Sequence, residues 1–405
     1  MMAGAAVPGA LLATEWLAKE WPSPSPAGRV LTQDQPARLL TRDRPLQRQL
    51  SAGDVHAYRI QLRAGEYLEV VIDQRGIDIA AKMLDPSGAV FREFDSPTGA
   101  LGLERVRMVA AGDGVYRLEV RALQPEADAG SYDVRINTVR PAGAADKQVE
   151  AALFAESEAD RLRATSQTRA ESLTRYREAQ ALWRAAGNRA GEASALRGMG
   201  FAHLRLKDDA QARVAFSDAQ MLFRELRDQR AEAYVHLILA AMYTRLGDLN
   251  GAIVASRQAL PLWRAAHDSE QEAFTLASIA TTHARLKEAP EAKQLHDDAL
   301  RVARATGRPT LEAAMFRSVG SAAEQLSDRK GALDAYQQAL RLWQQAGHRR
   351  GQASTHFAIA GLHETLGDVT AAIDHFGRAA DFWRDAGVTD QEAAARGRIS
   401  TLKKK

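Results

Sequence analysis

Histidine offers the widest range of chemistry in this sequence, because the 405 residues include ten histidines and no cysteine. The lack of cysteine excludes disulfides, thiolate metal sites and thiol nucleophiles from the chain. Three of the histidines, His203, His283 and His363, recur at one fixed interval along the chain. Metal ligands must converge on one point, whereas this interval places the three in separate repeated units. We therefore predict packed histidines and no metal site.

Other catalytic and cofactor motifs are also missing. The sequence has no HExxH, no phosphate-binding loop of the GxxxxGK type, no GxGxxG and no GxSxG. We expect a non-catalytic protein that needs no cofactor. Asp78, Asp85, Glu93 and Asp95 could line a calcium site on loops, but aspartate is also common in turns for its own hydrogen bonding. Both interpretations are open.

The charge balance bears on the type of partner. Lysine and arginine number 54 and aspartate and glutamate 51, which gives a net charge of +3. Nucleic-acid binding usually needs a concentrated basic face, so we expect no nucleic-acid partner. No apolar run reaches the roughly 18 residues of a membrane span. Residues 1–21 lack a basic residue before Lys19, which is atypical of a signal peptide. We expect a cytoplasmic protein, with export to the cell envelope as the alternative if this leader is miscalled or trimmed.

The first third of the chain has the pattern of short strands. Residues 1–45 form an extension that includes the linker sequence WPSPSPAG, and residues 46–140 alternate apolar and polar side chains. Turn signals such as Asp-Pro-Ser-Gly separate the runs, which indicates an antiparallel β-sandwich or jelly roll. The predicted strands cover residues 56–62, 67–73, 90–94, 106–110, 115–120 and 131–137. Half-buried strand positions are predicted for Tyr58, Tyr67, Tyr116 and Tyr132.

Residues 146–402 have helical spacing and a strict internal repeat, ahead of a basic tail at 403–405. A period of about 40 residues predicts an α-solenoid of stacked helical hairpins. One column of the repeat is aromatic in five of six units: Trp183, Phe223, Trp263, Ala303, Trp343 and Trp383. We predict that these side chains fill the space between successive hairpins. The unit with Ala303 is predicted to pack differently. Alanine columns predict close helix crossings: Ala212, Ala252, Ala292, Ala332 and Ala372, and likewise Ala219 and its equivalents.

Two further columns complete the predicted hairpin. Leu206, Leu246, Leu286, Leu326 and Leu366 are predicted to fill the space between the two helices of each unit. An acid follows two residues later in every unit, as Asp208 does after Leu206. At that position it can cap the second helix.

This pattern resembles the tetratricopeptide repeat. The large, apolar, small and aromatic positions of that motif's first helix and the alanine, aromatic and alanine of its second correspond to Leu276, Ile279, Ala280, His283, Ala292, His296 and Ala299. The closing proline is absent, and the unit has about 40 residues instead of roughly 34. The resemblance predicts about six hairpins and a final helix.

The order of the two halves resembles the N-terminal region of bacterial CHAT-domain proteins, which carry a caspase-like protease. Residues 52–88 and the runs GDGVYRLEVRAL and GSYDVRI are similar to a prepeptidase C-terminal β-sandwich. The resemblance implies that a protease with catalytic His and Cys would follow the repeats. The sequence ends at Lys405 and has no cysteine.

Arginines mark the candidate binding surface. Arg205, Arg245 and Arg285 occupy one column, which helical geometry places on a stripe with Arg197 and Phe201 and away from the core positions. Candidates near this stripe are Tyr234, Phe274 and Arg317. In tetratricopeptide repeats this stripe faces the concave groove, where arginines beside aromatics would suit an acidic peptide. The alternative is a solvated helix face, since arginine is common on solenoid surfaces.

The function predicted from the sequence is a protein-interaction scaffold that binds a peptide or protein segment in the groove. The alternative is the sensor half of a caspase-like protease system whose catalytic domain is missing or separately encoded.

Overall fold

The computed structural model describes residues 37–42, 44–51, 53–94, 101–123 and 129–404. Most of the predicted extension at 1–45 lies outside the described residues. By its internal contacts the described chain divides into two compact units, residues 37–235 and residues 236–404. The first unit contains all of the described strands and the first helices, and the second contains helices alone.

The strands form two sheets in the first unit. In chain order they are β1 (Arg38–Leu39), β2 (Leu46–Leu50), β3 (Val55–Leu62), β4 (Glu66–Arg75), β5 (Ile79–Leu84), β6 (Val90–Phe94), β7 (Leu101–Val109), β8 (Gly114–Ala122) and β9 (Gly130–Pro141). One sheet has the order β1-β3-β8-β5-β6 and the other β2-β9-β4-β7. The pair β1–β3 is parallel and the remaining pairs are antiparallel. The inner faces of both sheets share one apolar core, which confirms the predicted β-sandwich.

The strand tyrosines are buried more deeply than the alternation suggests. Tyr58, Tyr116 and Tyr132 are almost fully buried, so their half-buried prediction is wrong. Burial is possible because each hydroxyl finds a partner, as a buried polar group must. The hydroxyls of Tyr58 and Tyr132 lie 2.6 Å apart, and Tyr132 also contacts His56 Nδ1 at 2.8 Å. Tyr116 donates to the carbonyl of Gly112.

The helices follow directly from the last strand. They are α1 (Ala144–Arg163), α2 (Arg169–Ala185), α3 (Arg189–Arg205), α4 (Asp209–Glu225), α5 (Gln229–Leu246), α6 (Leu249–Ala265), α7 (Ser269–Arg285), α8 (Ala289–Ala305), α9 (Pro309–Gln325), α10 (Arg329–Gln345), α11 (Arg349–Thr365), α12 (Val369–Asp385) and α13 (Thr389–Leu402). This arrangement of helices confirms the all-α second part of the predicted fold class. In the part of the chain that the structure describes, none of them combines the length and the apolar composition needed to cross a bilayer.

The first helix is fixed to the sandwich by charged side chains. Arg140, at the end of β9, donates to Asp146, and the carboxylate of Asp146 also accepts from the backbone N–H of Gly143, the N-cap of α1. One turn later Glu150 accepts from Arg92 at 3.0 Å and from the backbone N–H of Val109 at 3.3 Å. The strand and helix parts are therefore bonded together at residues 140–150. The domain boundaries at 140 and 146 stay a prediction.

A left-handed residue ends every helix from α2 to α12. These residues recur every 20 positions and have positive φ: Gly187, Lys207, Arg227, Gly247, His267, Lys287, Gly307, Ser327, Gly347, Gly367 and Gly387. Such a residue reverses the chain after a helix by an αL cap. The backbone therefore repeats every helix, and only the side chains repeat every two helices.

The leucine column fills the space between helices in only two of its five units. Leu286 and Leu326 are half-buried and pack against core clusters, whereas Leu206, Leu246 and Leu366 are exposed, so the prediction is wrong for these three. All of them lie just ahead of the left-handed residue, where the helix ends. The acid that follows does cap the next helix in four units, where Asp208, Asp248, Asp328 and Asp368 accept from the backbone three residues on.

Small residues let the helices of each hairpin approach closely. A Cβ added to Gly200 would lie 2.5 Å from the ring of Phe216, and one added to Gly320 would lie 2.6 Å from the ring of Tyr336. Carbon atoms prefer about 3.5–4.0 Å, so these rings rest on bare backbone. The predicted repeat positions all lie buried: Trp183, Ala212, Ala252, Trp263, Ala292, Ala332, Trp343, Ala372 and Trp383.

The unit that lacks an aromatic side chain is filled from the next helix. Ala303 lies in a cluster with Leu311 and Met315, both of them buried. In two other units the residue equivalent to Leu311 is glycine, Gly191 or Gly351, and an aromatic ring covers it. Volume lost at one position of the repeat is thus supplied at another.

Candidate binding surface

The predicted arginine column lies at the C-terminal ends of helices. Arg205 and Arg285 are the last residues of α3 and α7, and Arg245 is the penultimate residue of α5. Arg205 and Arg245 are exposed, and Arg285 is half-buried. Burial lowers the pKa of the Arg285 guanidinium from its ordinary value. Arg205 belongs to the first unit and the other two to the second, and the ladder of three stays a prediction.

The other candidate residues differ in exposure. Arg197 and Phe201 on α3 and Arg317 on α9 are half-buried. Phe274 is 39% exposed, whereas Tyr234 is buried. Both aromatics lie in the second turn of their helices. Phe274 is therefore the aromatic side chain of the predicted set that is most available to a ligand.

A second arginine column forms ion pairs within the fold. Arg184, Arg224, Arg264 and Arg304 each donate Nε to the glutamate eight residues on, at 2.5–2.8 Å. By contrast Arg205, Arg285 and Arg317 make no ion pair or side-chain hydrogen bond with any residue that the structure describes. The Arg184 column stabilises the junctions of successive helices, whereas the guanidinium groups of Arg205, Arg285 and Arg317 have no such role. Sequence reasoning missed the paired column, although its Arg/Glu spacing is visible in four consecutive units.

Charged residues on α1 occupy positions that are core positions elsewhere. Alignment of the repeats places Glu156 in the column of Leu196, Asp160 in the column of Gly200 and Arg163 in the column of His203. The predicted groove residues of α3 lie against this charged face, since the Cζ atom of Arg163 is 5.3 Å from the ring centroid of Phe201. A guanidinium over an aromatic face is an attractive cation–π contact.

Glu156 is the most perturbed acid of this face. Its carboxylate accepts from Ser194 Oγ at 2.6 Å and from Trp183 Nε1 at 3.1 Å. Burial raises the pKa of Glu156 to about 7. The hydrogen bond from Ser194 lowers this pKa, and the neighbouring Asp160 carboxylate raises it. Burial favours the neutral form of a carboxyl group. Near neutral pH this carboxyl is poised between its two protonation states.

Asp160 and Arg163 form the other end of the charged face. Arg163 donates to Asp160 Oδ1 at 3.1 Å, and the hydroxyl of Tyr176 on α2 donates to the same oxygen. Although Arg205 is exposed as a residue, partial desolvation of its guanidinium, followed by the charges of Arg163 and Arg169, lowers its pKa. Three guanidinium groups from α1, α2 and α3 therefore lie close enough to repel one another.

Histidines converge in the second unit more than their spacing suggests. His356 and His375 approach within 3.0 Å through their Nδ1 atoms, and the ring of His363 stacks on that of His375 at 5.6 Å. Burial, followed by the His375 charge, lowers the pKa of His356 to about 4. His375 lies on the partner helix α12, so a search along one helix could not find this cluster.

No group of metal-ligating side chains is assembled among the described residues. Asp85 accepts hydrogen bonds within its own turn from Ser87 and Ala89, and Glu93 pairs with Lys82. Of the residues proposed for calcium, Asp95 lies outside the described residues. His283 bonds to Glu288 at 2.5 Å, and His203 lies 3.4 Å from the carboxylate of Asp208.

Known proteins of several kinds share parts of this architecture. Similar structures include aspartyl phosphate phosphatase F from Bacillus subtilis, at 13% identity over 64% of this chain and 72% of that one, with a TM-score of 0.45. NprR in complex with its cognate peptide NprX is 14% identical over 64% and 72%, with a TM-score of 0.42. The pre-peptidase C-terminal domain of a Bacillus anthracis collagenase is 14% identical over 26% of this chain and 99% of that domain, with a TM-score of 0.23. No curated protein matches the sequence.

The family comparison identifies the helical part. Residues 229–305 and 311–385 match the family model described as tetratricopeptide repeat. The matched segments cover α5 to α12, the helices in which the small and aromatic columns are buried as that motif requires. The hairpins before residue 229 have the same helix spacing but carry the charged face of α1. The chain contains tetratricopeptide repeats.

Proposed function

We propose that this protein is a non-catalytic interaction scaffold and that the first helices of its hairpins bind a peptide or protein segment. The observation that carries the proposal is the contrast between the two arginine columns. The Arg184 column forms ion pairs within the fold. Arg205 and Arg285 of the predicted column, and Arg317 outside it, make no such pair with the described residues.

The chemistry of these side chains favours an acidic ligand. Guanidinium groups present rigid forks of donors that match carboxylates, and Phe274 offers an exposed aromatic face in the second unit. An exposed pair contributes only about 0.2–1 kcal/mol. Affinity would therefore come from several such contacts along an extended segment.

The test compares two sets of charge reversals. The first variant changes Arg205, Arg245 and Arg285 to glutamate. The matched control changes three other exposed arginines to glutamate, each of which pairs with an acid on its own helix: Arg161, Arg301 and Arg378. Both variants alter the net charge equally. A partner recovered by pull-down is then titrated against the wild type and both variants at two salt concentrations.

The proposal expects the first variant to bind at least about tenfold more weakly, with a larger loss at low salt, where charges are less screened. The control variant should bind like the wild type. Equal affinity of all three proteins would show that the column is a solvated helix face. Turnover of casein or generic esters by the pure protein would contradict the non-catalytic part.

A sensor role in a caspase-like protease system is the second proposal. It is supported by the order of a β-sandwich and tetratricopeptide repeats, which resembles the region ahead of such proteases. Its test is the DNA next to the gene, where a reading frame with the catalytic His and Cys is expected. If the recovered partner has no protease activity and no such frame is found, the scaffold proposal stands alone.

A further inference from the structure

Three helix ends of the first unit bring arginines to one place. Ala159 of α1, Leu173 of α2 and Ala202 of α3 belong to a single buried cluster. Arg163 lies one helical turn beyond Ala159. Arg169 precedes Leu173 by one turn, and Arg205 follows Ala202 by nearly one turn. All three guanidinium groups therefore project from the same end of the first two hairpins, around the loop of residues 164–168.

Like charges at this place repel one another, and a bound anion would offset that repulsion. Arginine at a helix C-terminus complements the helix dipole, as Arg163 and Arg205 do, but Arg169 is the first residue of α2, where a positive charge opposes the dipole. The Nε atom of Arg169 is buried and has no hydrogen-bond partner among the described residues.

The N-terminus of α2 adds free backbone donors to the same place. Its N-cap, Thr168, makes no capping hydrogen bond, because its hydroxyl donates to the carbonyl of Leu162 instead. The first N–H groups of a helix are unsatisfied within the helix and bind phosphate-like anions readily. They lie beside Arg169, the first residue of that helix.

We propose that Arg163, Arg169 and Arg205 form a binding site for a phosphate monoester, such as a phosphorylated side chain of the partner. The charges decide between phosphate and carboxylate. Asp160 offsets the charge of Arg163 at 3.1 Å, which leaves about two positive charges on Arg169 and Arg205. A phosphoryl group carries about −1.5 to −2 at neutral pH, whereas a carboxylate carries only −1. The inference deepens the proposed function, because Arg205 also belongs to the proposed peptide-binding column.

Small probes test the site without knowledge of the partner. The full chain is titrated by calorimetry with N-acetyl-phosphoserine amide, inorganic phosphate and N-acetyl-aspartate amide. Phosphoserine should bind at least tenfold more tightly than aspartate, and its affinity should fall below pH 6, where the phosphate loses its second charge. Arg169→Gln and Arg205→Gln should each weaken it at least tenfold. Arg161→Gln, on the same helix as Arg163 but paired with Glu158, is the control and should leave binding unchanged.

Melting of the phosphate-free protein separates binding from a structural role. If Arg205 serves only the dipole of α3, Arg205→Gln should lower the melting temperature. The anion site predicts an equal or higher melting temperature for this variant, because repulsion from Arg163 and Arg169 is removed. Phosphate should raise the melting temperature of the wild type but not of Arg205→Gln.

Three results would overturn the inference. These are equal affinity for phosphoserine and aspartate, unchanged phosphoserine binding in Arg169→Gln, and a single-stranded oligonucleotide that binds more tightly than phosphoserine through the same arginines. If the small probes fail while the recovered partner still distinguishes the charge-reversal variants, only this inference is lost. If phosphoserine binds as expected while the partner ignores those variants, the proposed groove is wrong and the anion site remains.

Discussion

Replacement of Gly351 by alanine should destabilise the second unit, although alanine favours a helix. Gly351 lies in the first turn of α11, and the ring of Trp343 rests on its backbone. A Cβ there would lie 2.6 Å from Cε2 of Trp343, about 1 Å closer than carbon atoms prefer. The ring is buried and cannot move without displacing its neighbours. Overpacking of this kind costs about 1–3 kcal/mol.

The same helix provides the control. Gly361 lies in the middle of α11 and has nothing within 4 Å of an added Cβ. Gly361→Ala should therefore stabilise the protein by roughly 0.5–1 kcal/mol, the ordinary gain of alanine over glycine in a helix interior. Two identical substitutions in one helix are thus expected to have opposite signs. Urea unfolding of the full chain, followed by far-ultraviolet circular dichroism, measures both.

A double-mutant cycle isolates the contact. Trp343→Ala alone should cost about 3–5 kcal/mol, the usual loss for a buried aromatic side chain. In that background Gly351→Ala no longer meets a ring and should become stabilising, by roughly 0.5–1 kcal/mol. The difference between the two backgrounds gives a coupling of about 1.5–4 kcal/mol. If Gly351→Ala has the same effect with and without Trp343, the ring is not seated on the glycine and the reasoning about the aromatic column is wrong.

Four other substitutions test the electrostatics and the caps. Burial raises the pKa of Glu156 to about 7, so its ionisation destabilises the fold as pH rises from about 4.5 to 7. Glu156→Gln should gain up to about 3 kcal/mol over the wild type at pH 8 and little at pH 4, and parallel stability curves from urea unfolding would contradict this. Burial and the neighbouring His375 lower the pKa of His356 to about 4, so wild-type stability should fall as pH drops from 6.5 towards 4. His356→Phe should reduce this loss in acid-dependent melting without abolishing it, because burial also lowers the pKa of His296 to about 4; an unchanged profile would refute it. Lys207 has φ 62° where Gly247 has φ 83°; Lys207→Gly should stabilise by about 1 kcal/mol and Gly247→Lys should destabilise, and equal melting temperatures would remove the argument for the caps.

Periodicity predicts the helical part well because the same packing problem recurs in every unit. The repeat period alone finds the aromatic and small columns, and those columns are buried. It misplaces Leu206, Leu246 and Leu366, because an apolar residue next to a helix end has the same spacing as a core residue. Only the backbone conformation of the next residue, left-handed at Lys207, shows that the chain is already leaving the helix.

Alternation predicts strands where one face meets the core and the other meets solvent. It misses β5, Ile79–Leu84, because the first three residues of that strand do not alternate: Ile79, Ala80 and Ala81 are all buried. It misses β2 because Leu46–Leu50 has only two apolar residues, at its ends. In both cases the missing information is the pairing with β8 and β9, which the local sequence does not contain.

The charged face of α1 shows why the candidate site was only partly predictable. The columns were defined on repeats that share an apolar core. In the first repeat, Glu156, Asp160 and Arg163 stand at these core positions. The later units need those positions for packing, so they cannot carry charge there without a large loss of stability. The first repeat tolerates the charges because both carboxylates are hydrogen-bonded. Ser194 and Trp183 donate to Glu156, and Tyr176 donates to Asp160. These buried carboxylates lie beside Arg169 and Arg205, which form no ion pair with the described residues. This combination is the strongest reason to look for the ligand at this end of the repeats.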